Sequence, residues 1–248
     1  MQLTVLGCAG TYPGPDSACS SYLVEHDGFR LVLDLGAGSL GELQKHADLL
    51  DVDAVYVSHL HADHCIDLVA YSYARRYHPG GLPPRLPVYG PAGLAERMCG
   101  AFEAPPVDGL RGVYDFREVP VGSRRIGPFT VTSARTNHPV ECHALRVEAD
   151  GRSLTYSGDS ATSDALVDLA RGTDLFLCEA TWPDAPGNPP GLHLSGREAG
   201  EHAARAGVGS LVLTHIVPWA DREAIAAEAR SAFTGTVQVA HRGTVYLV

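Results

Sequence analysis

Lysine is almost missing from this chain of 248 residues: Lys45 is the only one, and the remaining basic residues are arginine. The 19 basic residues face 29 acidic ones, a formal net charge of −10. The broad cationic surface that non-specific nucleic-acid binding requires is therefore lacking. Arg75-Arg76 and Arg124-Arg125 are the only adjacent basic pairs, and they read as solvated surface charge. No stretch approaches ~18 consecutive apolar residues, which excludes a membrane-spanning helix. Cys8, Cys19, Cys65, Cys99, Cys142 and Cys178 contain no C-x-x-C pair. Scattered in this way they read as reduced thiols and point to the cytoplasm. Leu6-Gly7-Cys8 has the form of a lipoprotein cleavage site. However, neither a basic segment nor an adequate apolar run precedes it, so no signal peptide is expected.

What is present suits a folded protein: 45% of residues are hydrophobic and 19% are charged. There is no 20–50-residue repeat, low-complexity segment or linker, so residues 1–248 read as one domain. Apolar runs predict strands over Leu3–Leu6, Ser21–Glu25, Arg30–Asp34 and Ala54–Ser58. Gly7–Asp16 is a Gly/Pro-rich loop. A capping box of Ser39 and Glu42 predicts a helix over Ser39–Leu50, and a second helix is expected over Asp63–Tyr77. After strand Leu86–Tyr89 and a helix following Gly90-Pro91, strands are expected near Val113–Val119, Phe129–Arg135, His143–Glu148 and Ser153–Tyr156. The last third alternates. Helices Ser163–Ala170, Ser195–Ala206 and Asp221–Phe233 interleave with strands Leu175–Cys178, Ser210–Thr214, Thr236–Ala240 and Thr244–Val248. Such a pattern predicts an α/β architecture of two packed sheets with helices on the outer faces.

The chemistry is concentrated in Ser58-His59-Leu60-His61-Ala62-Asp63-His64. An apolar strand stops, and three imidazoles and a carboxylate follow at once, donors that suit zinc, manganese or iron. Single candidates stand directly after other strands: Asp34 in Asp34-Leu35-Gly36, His138 before Pro139, Asp159 in Gly158-Asp159, and His215 after Thr214. Asp34 is either a carboxylate that orients a ligand histidine or a polar strand end beside a glycine turn. Cys65 reads as a small buried side chain. His26, His46, His78, His143, His202 and His241 fit no pattern.

The H-x-H-x-D-H cluster, with these four matches, resembles the metallo-β-lactamase superfamily from end to end. The resemblance implies a four-layer αββα sandwich of two mixed sheets. It assigns His59, His61 and His138 to one divalent metal ion, Asp63, His64 and His215 to a second, and Asp159 to the bridge. Zinc is expected first, with manganese or iron as alternatives. Two cations roughly 3.5–4 Å apart repel, and a shared carboxylate offsets that repulsion. His61 stands where oxygen-reducing members carry Glu, which favours hydrolysis, and Asp159 stands where many true β-lactamases carry Cys. Glu179-Ala180-Thr181 and His193 are similar to elements of the ribonuclease Z family. They imply that Glu179 orients His193 and that His193 protonates a leaving oxygen, a structural His193 being the alternative. Leu194 departs from the pattern, since that family usually has Ser directly after this histidine. The catalytic side chains expected are thus Asp63, Glu179 and His193. The long tRNA-gripping arm of ribonuclease Z, between the equivalents of His138 and Asp159, is replaced by two short strands and the turn Asp150-Gly151. The implied function is a dinuclear-metal phosphodiesterase for a small substrate, a cyclic nucleotide first. The alternatives are a tRNA 3′-end endonuclease and an ester, lactone or thioester hydrolase. Relatives are often dimers, which implies a homodimer.

Overall fold

Alternating side-chain direction along strands buried on both faces sets the layering of this computed structural model, which describes residues 1–102 and 109–248. The chain first lays down β1 (Gln2–Ala9), β2 (Ala18–Cys19), β3 (Ser21–His26), β4 (Phe29–Leu33), β5 (Ala54–Tyr56), β6 (Leu86–Gly90) and β7 (Tyr114–Glu118). It continues with β8 (Gly122–Ile126), β9 (Phe129–Arg135), β10 (His143–Ala149), β11 (Arg152–Tyr156), β12 (Leu175–Glu179), β13 (Ser210–Thr214) and β14 (Thr236–Val239). The final strand, β15 (Val245–Leu247), returns to the first sheet. That sheet has the order β15-β1-β3-β4-β5-β6-β7 with β2 beside β1, and the second runs β14-β13-β12-β11-β10-β9-β8. Both are mixed. β4 to β7 and β11 to β14 pair in parallel, and the neighbours β1-β3-β4 and β8-β9-β10-β11 pair antiparallel.

Tyr22, Val24, Leu31, Leu33 and Tyr56 of the first sheet meet Val131, Leu145, Val147, Leu154 and Tyr156 of the second in an inter-sheet core. Their chain neighbours Leu23, Val32 and Val55 face outward, under α1 (Ser39–Leu43), α2 (Ala62–Cys65), α3 (Asp67–Arg76) and α4 (Leu94–Ala101). On the other side Phe176, Leu211 and Leu213 pack beneath α5 (Asp164–Ala170), α6 (Gly196–Ala206) and α7 (Arg222–Ala232). The result is the expected four-layer αββα sandwich. No helix among the described residues is long and apolar enough to cross a membrane.

Three expectations need correction. The helix expected over Ser39–Leu50 stops at Leu43, and its capping box does not form. Ser39 Oγ instead donates to the Gly36 carbonyl, Glu42 turns to Lys45 and His46, and Asp67 accepts from the Leu40 N–H in the first turn. The helix expected over Asp63–Tyr77 is two pieces that meet at Ile66. Strand β8 has no counterpart among the expected strands, because Gly-Ser-Arg-Arg-Ile, at the sheet edge, lacks any alternation of apolar and polar residues. A capping box does form at the start of the helix expected over Ser195–Ala206: Ser195 Oγ accepts from Glu198 N, and the Glu198 carboxylate from Ser195 N.

Topology places the candidate side chains together. Asp34, His59, His138, Asp159 and His215 all follow the carboxyl ends of strands that run in the same sense within each sheet. Open α/β sheets bind ligands at such ends.

Candidate metal centre

The structure brings together all seven side chains of the expected set. Donor atoms of His59, His61, His138 and Asp159 lie within 4.8 Å of one another, as do those of Asp63, His64 and His215. His59 Nε2 is 3.0 Å from His61 Nδ1, and His138 Nε2 is 3.3 Å from the same atom. His64 Nε2 is 3.2 Å from Asp159 Oδ1, and His215 Nε2 is 3.3 Å from Asp63 Oδ2. Asp159 sits between the groups, with Oδ2 3.5 Å from His59 and Oδ1 3.6 Å from His215. Donors around a tetrahedral ion with bonds of ~2.0–2.1 Å would stand about 3.4 Å apart, so the spacing fits.

Hydrogen bonds outside the cluster aim the rings. His64 Nδ1 donates to Asp34 Oδ2 at 2.7 Å, and His138 Nδ1 to the Leu192 carbonyl at 2.9 Å. Ser58 Oγ donates to Asp34 Oδ2, leaving its lone pair to accept from His59 Nδ1 at 3.1 Å. Thr181 Oγ1 donates to Glu179 Oε2 and accepts from His215 Nδ1 at 2.9 Å. These bonds hold Nδ1 of four rings on the outside and turn Nε2 inward, the orientation a metal ligand needs.

Electrostatics agrees. His64 Nε2 and Asp159 Oδ1 are sealed from solvent and have no hydrogen-bond partner among the described residues. Burial opposes a charge on His64, yet the carboxylates of Asp159 and Asp34 outweigh it and hold its pKa well above the ordinary imidazole value. Burial holds His59 and His61 below that value, so their lone pairs are free at neutral pH. Burial also raises the Asp63 carboxyl, but the hydrogen bond from His215 and the charge of His64 win and take it well below the usual range. The carboxylates of Asp63 and Asp159, the second of them fully buried, thus hold a proton on His64 where cations would otherwise offset their charge.

The backbone is strained where it serves the centre. Among the described residues, Thr11, Asp34 and His215 are non-glycines with φ of 70°, 58° and 54°. Such conformations cost about 1–3 kcal/mol each. Thr11 N–H donates to Asp63 Oδ2 at 3.0 Å, a contact that a Gly/Pro-rich loop gave no hint of. The loop approaches closely because a Cβ at Gly10 would lie 2.4 Å from the His215 carbonyl oxygen. Two other contributors lacked a sequence signal: Ser58, and Tyr156, whose hydroxyl donates to Asp34 Oδ2 at 2.7 Å.

Glu179 and His193 also meet. His193 Nδ1 donates to Glu179 Oε1 at 3.1 Å and lies 3.8 Å from Asp159 Oδ2. The His193 ring centroid is 5.3 Å from that of His215 and 5.5 Å from that of His138, so the ring borders the donor cluster. Glu179 is fully buried and accepts from Ser160 N, Thr181 Oγ1 and Leu194 N as well. The intervening Leu194 therefore holds the same carboxylate through its backbone. Burial works against a charge on His193, but Glu179 and Asp159 lift its pKa to about 9. Cys65 is buried, as expected. Of the histidines without a pattern, His143 is buried on Tyr56 and Glu141 and His202 on Ser163 and Glu198, neither belonging to the donor cluster.

Residues 30–216 match the family model described as beta-lactamase superfamily domain. The chain is 45% identical over 257 aligned positions to an uncharacterised Mycobacterium leprae protein, covering 99% of this chain and 88% of that one. It is 31% identical to the probable metallo-hydrolase YhfI of Bacillus subtilis, covering 99% of each. The YhfI crystal structure superposes with a TM-score of 0.89 at 28% identity, again over 99% of both chains. Ribonuclease Z of Mycobacterium bovis is 30% identical, covering 96% of this chain and 95% of that one. The latter alignment spans 277 positions, more than this chain's 248 residues, so the relative carries segments that are missing here.

Proposed function

The chain belongs to the beta-lactamase superfamily as a metallo-hydrolase, and on that premise we propose that it is a phosphodiesterase acting on a small diester, a cyclic nucleotide first. The residues fit two divalent ions, zinc first, with His59, His61 and His138 holding one, Asp63, His64 and His215 the other, and Asp159 shared. When bound, such ions supply Lewis-acid charge for phosphoryl oxygens and lower the pKa of water towards neutrality. The chain's own part is to hold that charge and to handle a proton. Asp63, fixed by Thr11 N–H and His215, presents its carboxylate beside the reacting position. Glu179 anchors Nδ1 of His193, leaving the other nitrogen to carry the proton outward. The buried Glu179 carboxylate at Nδ1 favours the protonated ring that a general acid for the departing alkoxide needs.

One observation carries this reading: a carboxylate-held histidine beside the donor cluster, in a chain where β10 and β11 turn tightly at Asp150-Gly151. Ester and thioester hydrolysis by the same ions does not need that pair. The 30% identity to ribonuclease Z supports a second reading, tRNA 3′-end cleavage. The short hairpin and the net charge of −10 weigh against it, because gripping tRNA needs an arm or a basic surface. His193→Ala tests the first reading. It should retain metal and slow diesters with alkoxide leaving groups about 10²-fold or more, while slowing p-nitrophenyl diesters much less. Equal losses on both would remove the general-acid role. Efficient processing of tRNA precursors by the wild type, with no turnover of small diesters, would establish the second reading.

A further inference from the structure

Beside His193 lies a cleft of about 300 Å³, lined by Trp182, Asp184, Asn188, Pro190, Thr162 and Glu198. His193 is its shared wall with the donor cluster. The chain also links the two directly, since it leaves the centre at Asp159 and lines the cleft at Ala161 and Thr162. Trp182 is half-buried and belongs to none of the three apolar cores. Its ring stands edge-on to His193, at 5.0 Å between centroids and 83° between planes. A large aromatic ring that the core does not use, placed at the rim of a reaction centre, suits a planar ligand group.

Charge decides which part of a substrate enters. The ionisable side chains lining the cleft besides His193 are the carboxylates Asp184 and Glu198. Each has one oxygen committed, Asp184 Oδ2 to Arg197 and Glu198 Oε2 to Ser195 N. Their remaining oxygens accept hydrogen bonds and repel a phosphate. A second phosphate of a polynucleotide is therefore unwelcome here, whereas hydroxyl and amino donors are suited to it. The donor cluster, by contrast, would attract the phosphoryl group through the cations it holds.

We propose that this cleft is the nucleoside subsite, in which Trp182 stacks on the base of the substrate while its phosphate lies at the metal centre. The assignment rests on the phosphodiesterase reading and narrows it to nucleoside-bearing diesters. Trp182 is then a specificity residue, and the cleft selects a single nucleotide over a polymer.

The test uses metal-loaded protein and the two tryptophans, Trp182 and Trp219. In a Trp219→Phe background, Trp182 alone reports. Adenosine 5′-monophosphate should change its fluorescence on titration, and ribose 5-phosphate should change it far less. By calorimetry, Trp182→Ala should weaken adenosine 5′-monophosphate binding about tenfold or more, the scale of one base-aromatic stack. The preference for a cyclic nucleotide over bis(p-nitrophenyl) phosphate, as a ratio of kcat/KM, should fall by a similar factor, and Trp182→Phe should restore most of it. Equal affinity for both ligands, or an unchanged preference in Trp182→Ala, overturns the subsite. If the wild type cleaves lactones or thioesters and no diesters, the functional reading fails instead, and the nucleotide titration still judges the cleft by itself.

Discussion

The first sheet delivers its donors in one short loop-and-helix segment, His59 to His64, that leads from β5 into α2, whereas the second delivers His138, Asp159 and His215 singly from the ends of β9, β11 and β13. In that segment, a few consecutive peptide units fix the relative positions of four donors. Across the second sheet, strand register fixes them, through pairs such as Leu154↔Leu175 and Leu175↔Ser210. A one-residue slip would turn every side chain of a strand to the opposite face. The loop half therefore depends on local geometry, and the scattered half on the integrity of a whole sheet. Asp34 connects them: it directly follows β4 of the first sheet and accepts from Tyr156 of the second.

The largest effect should come from the scattered half. Asp159 touches both donor groups, so Asp159→Asn should lower kcat/KM on diesters at least ~10³-fold, a loss of several kcal/mol of charge stabilisation. Its metal content by elemental analysis should also fall. A variant that kept near-native turnover would show that the two halves do not share a residue. Next comes the connection itself. Asp34→Asn should weaken metal affinity by about 10–100-fold in chelator competition, because it loosens the hold on His64 Nδ1. Unchanged affinity would mean that loop geometry alone orients the ring.

The smallest effect lies outside both halves, on α6. His202 Nδ1 donates to the Glu198 carbonyl and Nε2 accepts from Ser163 N–H, so the folded protein needs the neutral ring. Burial holds its pKa below the ordinary value of ~6.5. The unfolded chain therefore takes up the proton first as pH falls. The stability from His202 is complete above ~6.5 and is lost progressively below it, towards the depressed folded pKa. His202→Gln should lose less Tm than the wild type between pH 7.5 and pH 5.5. Parallel curves would confine acid sensitivity to the metal centre.

The same contrast explains what could be read without coordinates. His59, His61, Asp63 and His64 are recognisable from spacing, because neighbours in sequence stay neighbours in space. His138, Asp159 and His215 needed the resemblance to place them, since no local pattern ties one strand end to another. Contacts that orient donors were largely invisible. Tyr156 is an ordinary strand residue until the second sheet brings its hydroxyl to Asp34, and Thr11 has meaning only once its loop folds over Asp63. The helix at Ser39 has the same origin: the Ser39 hydroxyl and N–H that a capping box would use both go to the Gly36 carbonyl, and Asp67, which only tertiary packing brings there, takes the Leu40 N–H.

Strand β15 carries a consequence for how the protein is made. Its pairs Gln2↔Leu247, Leu3↔Tyr246 and Thr4↔Val245 close the edge of β1, and Tyr246 joins the inter-sheet core. A ribosome reaches those residues only after it has produced the entire second sheet. Throughout that interval the apolar β1 has an open flank, available to any extended chain nearby. The nascent protein is thus most vulnerable to mispairing while its seven donor residues are already synthesised, and the last strand ends that exposure.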